Sequence, residues 1–142
     1  MQTSFLVRTC AVWFALACTG CSSPVLKEPI ETIKNIGKSK SQQELDSGIK
    51  SYEEGDYKAA VKQLQNSLDL GLESKSDQAD AHKYLAFVYC TSGKEKNCRE
   101  EFRKALDSDP KFDLQPAETG HPLWGPVFRS VKTEVNAKTK VK

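Results

Sequence analysis

Histidine is almost missing from this chain of 142 residues, which holds two, His82 and His121. Neither stands in a His-Glu-x-x-His pattern, so the helical zinc-hydrolase arrangement is excluded. The spacing Cys90-x7-Cys98 has no further thiol or well-placed histidine to complete four ligands, which excludes a structural zinc site. A phosphate-cradling glycine loop, a dinucleotide fingerprint and a nucleophile elbow are all absent. The acidic neighbours Glu53/Glu54 and Glu100/Glu101 point about 100° apart on a helix and read as solvated faces, not as an acid and base sharing one substrate. No metal, cofactor or enzymatic activity is implied.

Excess charge of one sign is lacking too: 21 Lys and Arg face 19 Asp and Glu, for a net charge of +2. That balance gives no reason to expect a nucleic-acid partner. Proline and glycine are sparse, at six and eight, and the remainder is rich in good helix formers. With 38% hydrophobic and 28% charged residues, the chain reads as one ordinary globular domain.

The longest uncharged apolar run is Cys10 to Cys18 (CAVWFALAC). It is too short for the roughly 20 residues that a membrane-spanning helix needs. With Arg8 ahead of it, it reads as a removable signal. The following Thr19-Gly20-Cys21-Ser22-Ser23 resembles the lipobox of bacterial lipoproteins, although Cys18 stands where that family usually has Leu. The resemblance implies that residues 1–20 are removed and that Cys21 is acylated as residue one. It also implies an outer-membrane location facing the periplasm, because Ser22, not Asp, follows the cysteine. In that oxidising compartment Cys90 and Cys98 are left as a pair, expected to form a disulfide, with a reduced buried pair as the alternative.

Residues 21–41 carry Pro24, Pro29 and Gly37 and few large apolar side chains, and read as the lipidated cysteine and a flexible tether. A coil of that length reaches roughly 25 Å. Within it Pro29 to Ile36 could instead form a two-turn helix docked on the domain.

From Gln42 the chain resembles itself. Aligning Gly55 with Gly93 also aligns Gly48 with Ala86, Ala60 with Cys98, Leu64 with Phe102, Ser67 with Ala105 and Leu68 with Leu106. This pattern resembles tetratricopeptide repeats. Small residues at 48 and 86 would let Ala60 and Cys98 on the second helices approach closely. Gly55 and Gly93 would end the first helices in the left-handed conformation. The two glycines stand further apart than the roughly 34 residues of a standard repeat, and the excess falls at Gly71–Ser76, as a longer loop or an extended second helix. The thiols fall near one level of the second hairpin, which suits the Cα separation of about 5.5–6 Å typical of disulfides.

After Pro110 the breaker-rich stretch to Pro122 is expected to be extended, with His121 seating the turn. Trp124, Val127, Phe128, Val131 and Val135 then fall at helical spacing and predict a capping helix over Pro122–Ala137. The expectation is an all-α fold: two tetratricopeptide hairpins in a short superhelix plus a C-terminal capping helix over 42–137, then a basic tail, 138–142. His82 is expected to be an ordinary surface or packing residue.

In tetratricopeptide domains the first helices line a concave groove. Carried over to this chain, the resemblance implies partner-binding roles for Leu45, Ile49, Tyr52, Lys83 and Phe87. A protein partner would fill such a groove, or else a cover from the chain itself, through Trp124 and Phe128 or the Pro29–Ile36 segment. The lipobox, the short repeat domain, the cysteine pair and the stretch His121 to Arg129 together resemble TssQ-type lipoproteins of type VI secretion. That resemblance implies a non-enzymatic scaffold that contacts protein partners of the cell-envelope or secretion machinery and is held on the membrane through Cys21. The competing reading is an adaptor of another envelope machine, in pilus assembly, outer-membrane protein insertion or peptidoglycan-enzyme recruitment.

Overall fold

Ser39, Asp56 and Ser74 each precede a run of helical periodicity, and each side chain accepts a backbone N–H from the turn beyond it: Gln42 at 3.2 Å, Ala59 at 3.0 Å and Asp77 at 3.3 Å. Such caps contribute about 1 kcal/mol apiece. They start α1 (Lys40–Glu53), α2 (Tyr57–Asp69) and α3 (Lys75–Thr91). α4 (Glu95–Ser108) begins without a side-chain cap, α5 (Pro116–Thr119) is a single turn, and α6 (Gly125–Thr139) is the last helix among the described residues. The computed structural model describes residues 37–139. The signal, Cys21, the Pro29–Ile36 segment and residues 140–142 lie outside the described residues.

Gly55 and Gly93 end α1 and α3 with φ of +82° and +70°. At equivalent places, Asp56 N–H donates to the Ser51 carbonyl at 2.9 Å and Lys94 N–H to the Tyr89 carbonyl at 2.8 Å. The two hairpins therefore turn by the same hydrogen bond, the local signature of a true repeat. The excess length between them is divided. α2 keeps 13 residues, the loop from Leu70 to Ser74 is longer than the other two hairpin connections, and α3 runs to 17 residues against 14 for α1. It is thus the first helix of the second repeat that is extended, not the second helix of the first.

The close approach inside the first hairpin differs in detail from the expectation. A Cβ at Gly48 would meet Leu64 Cγ at 2.7 Å, Leu64 Cδ2 at 2.9 Å and the Leu64 backbone nitrogen at 3.1 Å. Leu64, one turn beyond Ala60 on α2, is what occupies the space that glycine leaves.

Two apolar clusters result. Leu45, Leu64, Leu72, Ala81 and Leu85 fill the first, so α3 completes the core that α1 and α2 cannot close alone. Ala86, Phe87, Cys98, Phe102, Leu106, Leu114, Trp124, Phe128 and Val131 fill the second. α6 lays Phe128 and Val131 against α4, where Phe102 and Phe128 meet edge to face at 5.2 Å. Arg99 and Glu134 pair across the same junction, and Lys132 reaches Asp113 at 2.7 Å. The fold is all-α, with two hairpins of tetratricopeptide type and a capping helix. The stretch before that helix is not simply extended: Pro116 starts α5, whose Glu118 carboxylate accepts the Gln115 N–H at 2.9 Å.

Candidate functional site

The first helices of the two hairpins, α1 and α3, bring aromatic rings together in a line. Tyr57, at the start of α2, lies 5.8 Å from Tyr52 between ring centroids; Tyr52 lies 5.1 Å from Tyr84, and Tyr84 5.9 Å from Phe87. Trp124 then stacks on Phe87 at 4.4 Å, and His121 stacks on the other partner of that pair, Trp124. The line runs from solvent, where Tyr57 is 39% exposed, into the second core cluster.

A buried charge runs beside it. Lys83 is 6% exposed, and its ammonium lies 3.2 Å from Asp80 Oδ1, 3.2 Å from Glu118 Oε1 and 4.6 Å from the centre of the Tyr84 ring. Burial alone would lower the Lys83 pKa, but Asp80, Tyr84 and Glu118 outweigh it and raise the value. Glu118 thus closes α5 with one oxygen and reaches α3 with the other, while its backbone carbonyl accepts the Trp124 indole N–H at 3.0 Å. The Tyr52 hydroxyl is pushed up to about 12, first by burial and then by the charges of Tyr57, Tyr84 and Glu118. Tyr84 is raised by burial first, with Glu118, Asp80 and Glu53 adding to it against Lys83.

The residues expected to line an open groove divide into two groups. Leu45 is buried among Leu64, Leu72, Ala81 and Leu85, because the third helix packs where open space was expected. Phe87 is buried between Trp124 and Phe102, and Lys83 is sealed by Glu118. These three sit in the interior and offer no surface to a partner. Ile49 and Tyr52 are half-buried at the edge of the clusters and keep some access to solvent. The segment carrying Trp124 lies on Phe87, while the other cover considered, Pro29–Ile36, lies outside the described residues.

Sequence reasoning passed over Tyr84, Tyr57 and Glu118. Tyr84 was within reach, since it stands three residues before Phe87 and shares its helical face. Glu118 gave no local signal, because its role depends on a loop folding back over α3. His82 proved to be a packing residue of a particular kind, with Nδ1 2.7 Å from Glu101 Oε2 across the second hairpin. Glu101 is correspondingly buried, not on a solvated face, and also accepts from Lys104 at 2.9 Å. His121 Nδ1 accepts the Leu123 N–H at 3.2 Å, within the turn before α6.

Cys90 and Cys98 are joined by a disulfide with a Cα separation of 5.2 Å, tying the end of α3 to the start of α4. Among the described residues no group of three histidine, cysteine or acidic side chains could hold a metal ion, and no helix is long and apolar enough to cross a membrane. No buried side-chain nitrogen or oxygen lacks a hydrogen-bond partner among the described residues.

No protein-family profile matches the chain, and no solved structure matches it. Curated proteins that resemble it include the photosystem I assembly protein Ycf3 of Synechococcus sp. (strain CC9311), 34% identical over 64 residues, or 45% of this chain and 36% of the relative. The same protein from Synechococcus sp. (strain CC9605) is 32% identical over 63 residues, 44% of this chain and 36% of the relative. That of Prochlorococcus marinus (strain MIT 9211) is 34% identical over 64 residues, with 45% and 36% covered. The chain spans little more than a third of the length of these relatives.

Proposed function

We propose that the protein is a non-enzymatic assembly factor or scaffold of tetratricopeptide type, held on the periplasmic face of the outer membrane by lipid at Cys21. The observation that carries the scaffold reading is the half-exposed face made by Tyr52, Tyr57 and Tyr84 on a rigid pair of hairpins, with Ile49 half-buried on the same helix as Tyr52. Aromatic side chains that hold ordered positions while keeping solvent access are suited to gripping another protein. The similarity to proteins named for the assembly of a larger complex supports the same reading. The resemblance to TssQ-type lipoproteins makes type VI secretion the machine to test first. Pilus assembly, outer-membrane protein insertion and peptidoglycan-enzyme recruitment follow.

Crosslinking and pull-down from membranes tests the reading with Tyr57→Asp and Tyr52→Asp beside the unaltered protein. Loss of the same partner proteins from both variants, with helical content retained, is the supporting result; equal yields would refute a role for this face. The anchor is tested separately by Cys21→Ser, which is expected to release the protein into the soluble periplasm. Retention of that variant on membranes would contradict it.

A further inference from the structure

The tyrosine face has a chemistry of its own. Lys83 already shows what the Tyr84 ring accepts: an ammonium 4.6 Å from its centre, flanked by the carboxylates of Asp80 and Glu118. Ring faces carry negative electrostatic potential, and acidic side chains around them deepen it. Tyr52 and Tyr57 extend the same surface outward, tilted by 39° at 5.8 Å, and there the rings reach solvent. Glu53 follows Tyr52 at the end of α1 and is exposed. Glu54 follows it, also exposed. The inner end of the line is therefore a completed pairing of cation, ring and carboxylate, while the outer end presents rings and carboxylates at the surface.

We propose that the outer half of this face, made by Tyr52, Tyr57 and Glu53, receives an arginine or lysine side chain from a basic segment of the protein partner. The rings hold the flat or extended cation and Glu53 supplies the opposing charge, repeating at the surface what Lys83 does one ring further in. Charge complementarity selects this occupant: an acidic segment would bring its carboxylates against the exposed Glu53 and Glu54. The inference rests on the scaffold reading and narrows it to a class of partner.

Titration of the purified full chain with a pentapeptide carrying one central arginine, followed through its aromatic NMR signals, tests the proposal. The comparison probe is the same peptide with citrulline, which keeps the shape and removes the charge. The expected result is a shift of the Tyr52, Tyr57 and Tyr84 ring signals. Binding should weaken roughly three- to fivefold for the citrulline peptide, for Tyr57→Leu and for Glu53→Gln. Equal binding of both peptides, shifts confined to other residues, or no shift at all would overturn it, as would stronger binding of a glutamate peptide. Shifts from free spermidine with none from the arginine peptide would assign a small amine in place of a protein segment, and would also overturn it. If the peptide test fails while the membrane partners still depend on Tyr57, this inference falls and the scaffold reading stands. Indifference of the pull-down to Tyr52 and Tyr57 removes the reading beneath it.

Discussion

Trp124 lies on Phe87 with ring centroids 4.4 Å apart and planes 25° from parallel, so a residue of the capping segment seals the innermost ring of the first-helix face. The seal is fixed at its polar edge, where the indole N–H reaches the Glu118 carbonyl and the Glu118 carboxylate reaches Lys83. The cap is therefore part of the core and not an appendage to it.

Replacing Trp124 by alanine is expected to cost about 3–5 kcal/mol, the range for emptying a large aromatic site in a packed core. Urea denaturation followed by circular dichroism checks this. A cost below about 1 kcal/mol would mean that the two hairpins are stable without their cover.

Gly48→Ala raises intrinsic helix propensity by about 1 kcal/mol, yet it places a methyl group against Leu64 Cγ and the Leu64 backbone nitrogen. Overpacking of that kind costs typically about 1–3 kcal/mol, so the net effect is destabilising. Combining Gly48→Ala with Leu64→Ala relieves the side-chain contact, and the pair is expected to be less destabilising than the two single changes added together. Additive energies would show that the helices shift apart without resistance.

Glu101 is held below its ordinary carboxylate value of 4.5: burial opposes ionisation, but the bonds from His82 and Lys104 outweigh it. A depressed folded value means that this group stabilises the protein fully above the unfolded value, and that the contribution is lost as pH falls through the folded one. Thermal unfolding between pH 7 and pH 3 should show that loss below about 4.5, and Glu101→Gln should flatten it. At neutral pH the same variant is expected to cost about 1–3 kcal/mol, because His82 and Lys104 lose their charged acceptor. An unchanged acid profile would show that other carboxylates dominate.

The Cys90–Cys98 link closes a separation of 8 residues, for which chain entropy suggests about 2.5 kcal/mol. Cys98 is fully buried in the second cluster. Changing both cysteines to serine also puts a hydroxyl into that cluster, so the double change to alanine is the cleaner test. The expected outcome is a folded but less stable protein, with its urea midpoint lowered to match the reduced wild type. Unfolding of the variant would instead make the link a condition of folding.

The repeat pattern was open to reading because it is local. Gly55 and Gly93 need a left-handed backbone, and a helix ends wherever such a residue stands. The spacing of Trp124, Phe128 and Val131 likewise marked one apolar face, and that face is buried. Which first-helix residues would meet a partner was not open in the same way. Lys83 and Phe87 look exposed by analogy with a longer array, but in so short a one the chain's own loop folds over them.

The ends of α1 and α3 at Gly55 and Gly93 and the apolar face of α6 were determined by the sequence itself, since each depends on residues within a turn or two of one another. Burial of Lys83, the hold of Glu118 and the burial of Glu101 were decided only in the tertiary structure. Each depends on elements distant along the chain, where the cost of burying a charge is met only once its partner has been brought alongside.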